Sequence, residues 1–218
     1  MSEAEVHPDL RRALSRAPDF VLRRWRLRRQ QHRLSAGMVS LPPLPEVTIE
    51  DLHAGTVRLR RYRPEGAANG SALLWMHGGG LVLGQPEQDD LLCSRLAVLL
   101  NCAVWSVEYR RAPKHRYPAA LDDCHTAFSH VAETAPELAL AGESAGGGLA
   151  MALALQLRAA GGRQPAALAL LYPMLDDRTA ADRRQDHPRH AVWNNLSNRT
   201  AWRAYLGRRP GRAGVADL

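Results

Sequence analysis

Ser144, set in Gly142-Glu143-Ser144-Ala145-Gly146, is the residue of this 218-residue sequence best placed to act as a nucleophile. The pentad fits G-x-S-x-G, in which a serine sits on a sharp strand-to-helix turn with its hydroxyl exposed at the strand's C-terminal edge. The context agrees: the apolar stretch Glu137 to Ala141 leads in, and an alanine- and leucine-rich stretch leads out. Glycines two before and two after the serine are expected because a Cβ there would collide in so tight a turn. The helix that follows points its positive end at the site, which favours a developing oxyanion. A glycine-rich turn of this kind can also exist without chemistry, so the pentad alone leaves both readings open.

A second signal is His77-Gly78-Gly79-Gly80, directly after the apolar stretch Ala72 to Met76. Three consecutive glycines let backbone N–H groups face a ligand unobstructed, which is what an oxyanion hole requires. The alternative is a phosphate-binding glycine loop. It fails on pattern, since neither G-x-G-x-x-G nor G-x-x-x-x-G-K-[ST] aligns here or at Gly146 to Gly148. The order of the two motifs, with Ser144 64 residues after Gly80, is more specific than either alone.

The elements that must hold these groups follow from the apolar rhythm. Val47 to Leu52 and Thr56 to Tyr62 read as strands joined at Gly55, the second with Val57 and Leu59 alternating with Arg58 and Arg60. Ala72 to Met76, Ala103 to Val107, Glu137 to Ala141 and Ala167 to Tyr172 read as four further strands. Asp89 to Leu100, Pro118 to Thr134 and Ala145 to Ala160 read as helices, the last stopped by Gly161-Gly162. Strand and helix in alternation predict a mostly parallel sheet flanked by helices, with the first two strands antiparallel at one edge. Before Glu46, an arginine-rich stretch from Asp9 to Arg33 has apolar members (among them Leu10, Leu14, Val21, Leu22 and Trp25) at helical spacing, divided near Pro18. Leu41-Pro42-Pro43-Leu44-Pro45 forms a stiff connector. After Pro173, Asp176 to Arg189 reads as a polar loop, and Ser197 as the cap of a short helix carrying Trp202 and Leu206. Trp75, Trp105 and Tyr172 are expected in the core. Arg110, Arg111, Lys114 and Arg116 are expected on a solvated loop, and Asp122 and Asp123 at the surface or bracing a loop.

Composition narrows the classes. The chain is 45% hydrophobic and 23% charged, which excludes a disordered tail, a collagen-like chain and a disulfide mini-protein. Its net charge of +7 comes almost wholly from arginine, Lys114 being the one lysine. The arginines cluster between Arg11 and Arg33, Arg58 and Arg63, and Arg199 and Arg212, which raises nucleic acid as a partner. No finger or RNP signature accompanies them, and solvated helix and strand faces account for the pattern more simply. Cys93, Cys102 and Cys124 form no C-x-x-C pair and suit reduced thiols. No signal-type or membrane-length apolar stretch is present, so a cytoplasmic protein without a membrane span is expected.

Together these segments resemble the hormone-sensitive-lipase-like branch of the α/β-hydrolases. The resemblance runs from about Val47 to Gly207. It rests on His77-Gly78-Gly79-Gly80, Glu108-Tyr109-Arg110, Pro118-Ala119-Ala120, Gly142-Glu143-Ser144-Ala145-Gly146-Gly147, and Tyr172-Pro173-Met174-Leu175-Asp176-Asp177-Arg178. It implies an α/β-hydrolase fold that hydrolyses small-molecule carboxylic esters of short to medium acyl chain without metal or cofactor. Ser144 would be the nucleophile, with the N–H groups of Gly78, Gly79 and Ala145 as the oxyanion hole and His77 bonding within its own loop. Residues 1–45 would form N-terminal cap helices and residues 46–218 the core, with a cap insertion at about 177–207. Trp193 and Trp202 would pack within that cap.

The sequence departs from the family where the triad should be completed. The family order is Ser, Asp, His, with the acid and histidine after two further strands. No segment matching either is found here, so the core is expected to lack its last strands. Asp176, Asp177, Asp182, Asp186, His187 and His190 lie in the insertion and read as a polar loop. A truncated or frameshifted gene is one expectation from this, and an exposed last strand that favours oligomers is another. The competing functions are a serine esterase, a non-catalytic remnant that binds a small apolar ligand and, far behind, an arginine-rich nucleic-acid binder.

Overall fold

The computed structural model describes residues 7–9, 11, 21–23, 26–36, 41–66, 70–186 and 192–211. In chain order its elements are α1 (Leu27–Ala36), β1 (Val47–Ala54), β2 (Val57–Pro64), β3 (Ala72–Met76), α2 (Asp90–Leu100), β4 (Ala103–Val107), α3 (Ala119–Ala132), β5 (Leu138–Glu143), α4 (Ala145–Ala159), β6 (Leu168–Leu171), α5 (Asp177–Ala181) and α6 (Asn195–Leu206). The strands form one six-stranded sheet in the order β1-β2-β4-β3-β5-β6. β1 and β2 run antiparallel as a hairpin turned at Gly55, whose φ is +58°, and β2 is antiparallel to β4. β4, β3, β5 and β6 are parallel. This is the predicted α/β architecture, with the antiparallel pair at one edge.

Alternation along each strand divides the core between the two faces of the sheet. Leu74 and Met76 of β3 join Leu138 and Leu140 of β5 under α3, α4 and α6. Leu73 and Trp75 point the other way and pack with Tyr62, Val104 and Ala141 against Cys93 and Ala97 of α2. Both faces of β3 are therefore buried, as its unbroken apolar run requires. All three cysteines are buried and unpaired with one another.

Several expectations need correction. Tyr172 is not a core residue: it is 72% exposed, because it follows an edge strand with nothing described beyond it. Residues 176–186 are not simply loop. Asp176 accepts the Arg178 N–H and starts α5, and Asp182 accepts the Arg184 N–H and starts a 3-10 turn. The cap of α6 is Asn194, whose side chain accepts the Ser197 N–H, while Ser197 lies one turn inside the helix. Ser197 instead accepts the buried N–H of Leu22 at 3.0 Å.

The arginine readings divide. Arg58 and Arg60 are not on a wet face but sit in an ion-pair network with Asp51, Glu87, Asp90 and Glu108. Arg110 of the supposed solvated loop is held by Asp123, which also takes its backbone N–H at 2.7 Å. The loop-bracing expectation for Asp123 thus describes its contacts. Of the N-terminal helical stripe, Leu10, Leu14 and Trp25 lie outside the described residues, as do His187 and His190. No helix among the described residues is long and apolar enough to cross a membrane.

Candidate active site

β5 ends at Glu143 and α4 begins at Ala145, so Ser144 occupies the turn alone, at φ +51° and ψ −116°. A non-glycine residue there is strained and persists only when its surroundings over-determine it. Three backbone hydrogen bonds do so. Ser144 N–H donates to Leu171 at 2.9 Å, and its carbonyl accepts the N–H groups of Gly148 at 3.1 Å and Met174 at 2.8 Å. The turn is thus tied both to its own helix and to the chain leaving β6. Ser144 is half-buried, and its hydroxyl has no hydrogen-bond partner among the described residues.

The parallel pairing of β3 with β5 brings the His77–Gly80 loop to the same sheet end as Ser144. The two turns touch. A Cβ on Gly146 would stand 2.5 Å from the His77 carbonyl oxygen and would overlap that of Met76, so only glycine fits. A Cβ on Gly78 would meet Glu143 Oε1 at 2.7 Å. The carbonyl of Gly79 accepts the N–H groups of Val82 and Leu83, which fixes the loop as a tight turn. Among the described residues no acceptor bonds the N–H of Gly78 or Gly79. Ala145 opens α4, and the first N–H of a helix has no intrahelical acceptor.

His77 is fully buried. Its Nδ1 lies 2.7 Å from the Gly78 carbonyl and its ring stacks on Tyr109 at 4.3 Å. The Tyr109 hydroxyl donates to the His77 carbonyl at 2.8 Å. Burial drives the His77 pKa down to about 3, so the ring is neutral. It therefore braces its own loop.

On the α2 side of the same turns is an acidic pair that the sequence reading did not single out. Asp89 is buried and accepts the Trp75 indole N–H at 2.7 Å. Burial raises its pKa to about 7; the charge of Glu143 adds to this and the indole N–H opposes it. Glu143 in turn accepts the Tyr172 hydroxyl at 2.9 Å. No periodicity marks such a pair, because β3, the 86–89 turn and β5 are far apart in sequence.

The acids of residues 176–186 are all engaged away from Ser144. Asp176 pairs with Arg178, Asp182 with Arg184 and Asp186 with Arg199, while Asp177 is buried and accepts the Gly211 N–H. Beside Ala145 opens an apolar cavity of about 350 Å³, lined by Leu81, Leu149, Met174, Leu175, Trp202 and Tyr205. Trp202 therefore lines a cavity, whereas Trp193 lies over Gly80. Among the described residues no group of three or more His, Cys, Asp or Glu side chains could hold a metal ion.

Residues 73–216 match a family model described as alpha/beta hydrolase fold. The chain is 41% identical over 143 residues to an ethyl acetate hydrolase of Pseudomonas putida, covering 60% of this chain and 44% of that protein. It is 40% identical over 119 residues to a versiconal hemiacetal acetate esterase of Emericella nidulans, covering 53% of this chain and 42% of that one. It spans less than half the length of these relatives. Among solved structures, a bacterial heroin esterase superposes with a TM-score of 0.82 at 30% identity, over all of this chain and 73% of that one. An esterase of the bacterial hormone-sensitive lipase family gives 0.76 at 26% identity, over 97% and 72%.

Proposed function

The chain belongs to the alpha/beta hydrolase fold family, in its hormone-sensitive-lipase-like branch, and from that premise we propose a carboxylic-ester hydrolase in which Ser144 is the nucleophile. The N–H groups of Gly78, Gly79 and Ala145 receive the oxyanion. The observation that carries this reading is the set of acceptor-free N–H groups on a fixed loop touching a strained serine turn. Such donors stabilise the charge that develops on a carbonyl oxygen without reorganising at the moment of reaction. Ser144 Oγ attacks the ester carbonyl carbon as its proton passes to a base, the tetrahedral intermediate collapses, and the C–O bond to the alcohol breaks as that oxygen takes the proton from the base. Water then cleaves the acyl-serine. The apolar cavity beside Ala145 suits an acyl group of modest size.

Attack requires a base, because a serine hydroxyl is a weak nucleophile at neutral pH. The neutral His77 ring is committed to its own loop, and no described imidazole bonds Ser144. On this reading the nucleophile and oxyanion hole act without a described base, an arrangement that retains ~10³–10⁴-fold acceleration over water in a dissected serine protease. The 218-residue chain is expected to hydrolyse p-nitrophenyl acetate slowly, and imidazole added to the buffer to raise the rate in wild type but not in Ser144→Ala. Fluorophosphonate treatment with imidazole present should leave one adduct, on Ser144. An adduct on another serine, or none, would overturn the assignment. Fast turnover without imidazole that Ser144→Ala abolishes would instead place the base at His187, at His190 or in a partner chain.

The unpartnered Ser144 hydroxyl also favours a second reading, a non-catalytic chain that uses the apolar cavity to bind a small ligand. Labelling of Ser144 separates the two.

A further inference from the structure

Five arginines, Arg26, Arg28, Arg29, Arg116 and Arg203, line a cleft of about 620 Å³ between α1, residues 113–116 and α6. Among the described residues, no acidic residue lines it. Several arginines elsewhere lie against carboxylates: Arg58 on Glu108, Arg60 on Asp90, Arg110 on Asp123 and Arg199 on Asp186. Arg28, Arg29, Arg116 and Arg203 make no ion pair with a carboxylate among the described residues. These four cations, gathered in one concavity, repel one another, and an anion that enters relieves that repulsion.

The walls are fixed before any ligand arrives. The Leu22 N–H donates to Ser197 Oγ at 3.0 Å and Thr200 Oγ1 donates to the Leu22 carbonyl at 3.2 Å, which fastens the chain entering α1 to α6. The Tyr117 N–H donates to the Tyr205 carbonyl at 2.9 Å, which fastens the third wall. At the end of α6, Gly207 leaves room for Arg116: a Cβ there would stand 2.9 Å from Arg116 Nη1. Leu27, Pro113 and Ala204 add apolar surface.

We propose that this cleft binds a soluble small molecule carrying one or more phosphate groups. Planar guanidinium groups match phosphate oxygens in paired hydrogen bonds, and several arginines suit a multiply charged anion better than a single carboxylate. The volume lies within the range of small-molecule sites. The cleft is concave and walled on three sides, so a discrete phosphate enters it where a bilayer surface would not. Ser144 is not among the lining residues, and the proposal does not depend on the reaction assigned there.

Calorimetric titration of the 218-residue chain with inorganic pyrophosphate at low salt tests it. One site per chain is expected, with a dissociation constant below about 1 mM. Arg29→Gln/Arg203→Gln should weaken binding at least about tenfold, since each removes a charge-assisted contact. Arg158→Gln on α4, outside the cleft, should leave it within about twofold, as screened distant charges do. Both variants alter exposed or half-buried side chains, and unchanged thermal unfolding would establish that they fold. No saturable binding, several sites per chain, or equal loss in the Arg158 variant would overturn the proposal. So would sedimentation with phosphatidylglycerol vesicles, or retention of a single-stranded oligonucleotide, that pyrophosphate fails to compete away.

Discussion

Asp89 carries its carboxyl group where the fold leaves it little water. Its ordinary pKa is near 3.8 and burial raises it to about 7. The folded state therefore favours the protonated form. That contribution to stability is complete below about pH 4 and is lost as the pH rises through about 7. Asp89→Asn keeps a carbonyl oxygen for the Trp75 indole N–H and removes the charge. The variant should be more stable than wild type at pH 8, with the difference closing toward pH 5. Urea midpoints across that range would show it, and parallel pH profiles would refute the assignment. Gly146 offers a harder test of the serine turn. An added methyl group meets the Met76 and His77 carbonyls, which are backbone and cannot swing aside. Gly146→Ala should cost about 3 kcal/mol or more, read as a lowered unfolding midpoint.

At the scale of the element, α6 shows how capping and tertiary contact divide the labour of one helix. Asn194 satisfies an N–H at its first turn. Asn194→Ala should cost about 1 kcal/mol, the usual effect of losing such a cap. Ser197 acts across the molecule instead, and Ser197→Ala would leave the buried Leu22 N–H without its acceptor. An unsatisfied buried donor costs about 1–3 kcal/mol, so this change should cost at least as much as removal of the cap. Paired denaturation curves decide the order. Should Ser197→Ala prove neutral, the chain before α1 is not anchored through this bond.

For the whole molecule, the consequential feature is the outer side of β6. This strand bonds only to β5 among the described residues, and its Leu168 is 37% exposed. The chain then turns back, through the Met174 N–H on the Ser144 carbonyl, instead of shielding that side. An unpaired apolar edge is a template for another strand. The 218-residue chain should self-associate with rising concentration in sedimentation velocity, and Leu168→Lys should suppress this. A monodisperse monomer at all concentrations would count against an available edge.

Much of this was written in the sequence, for local reasons. Strand positions followed from runs of apolar and β-branched residues, helix limits from Gly161 and the prolines, and the Ser144 turn from glycines spaced so that no Cβ intrudes. The parallel pairing followed from alternating strands and helices, but the order that sets β3 between β4 and β5 was not legible in the sequence. What the sequence could not express is which distant groups meet. Tyr172 looked like core because it continues an apolar strand, and it is exposed because nothing described lies beyond β6. Arg58 and Arg60 looked solvated until α2 and the loop after β4 brought carboxylates to them. The Asp89–Glu143 pair and the arginine cleft likewise exist only once separate segments are packed together. Periodicity reports which face of an element is apolar, whereas charge pairing depends on distances that only the tertiary fold sets.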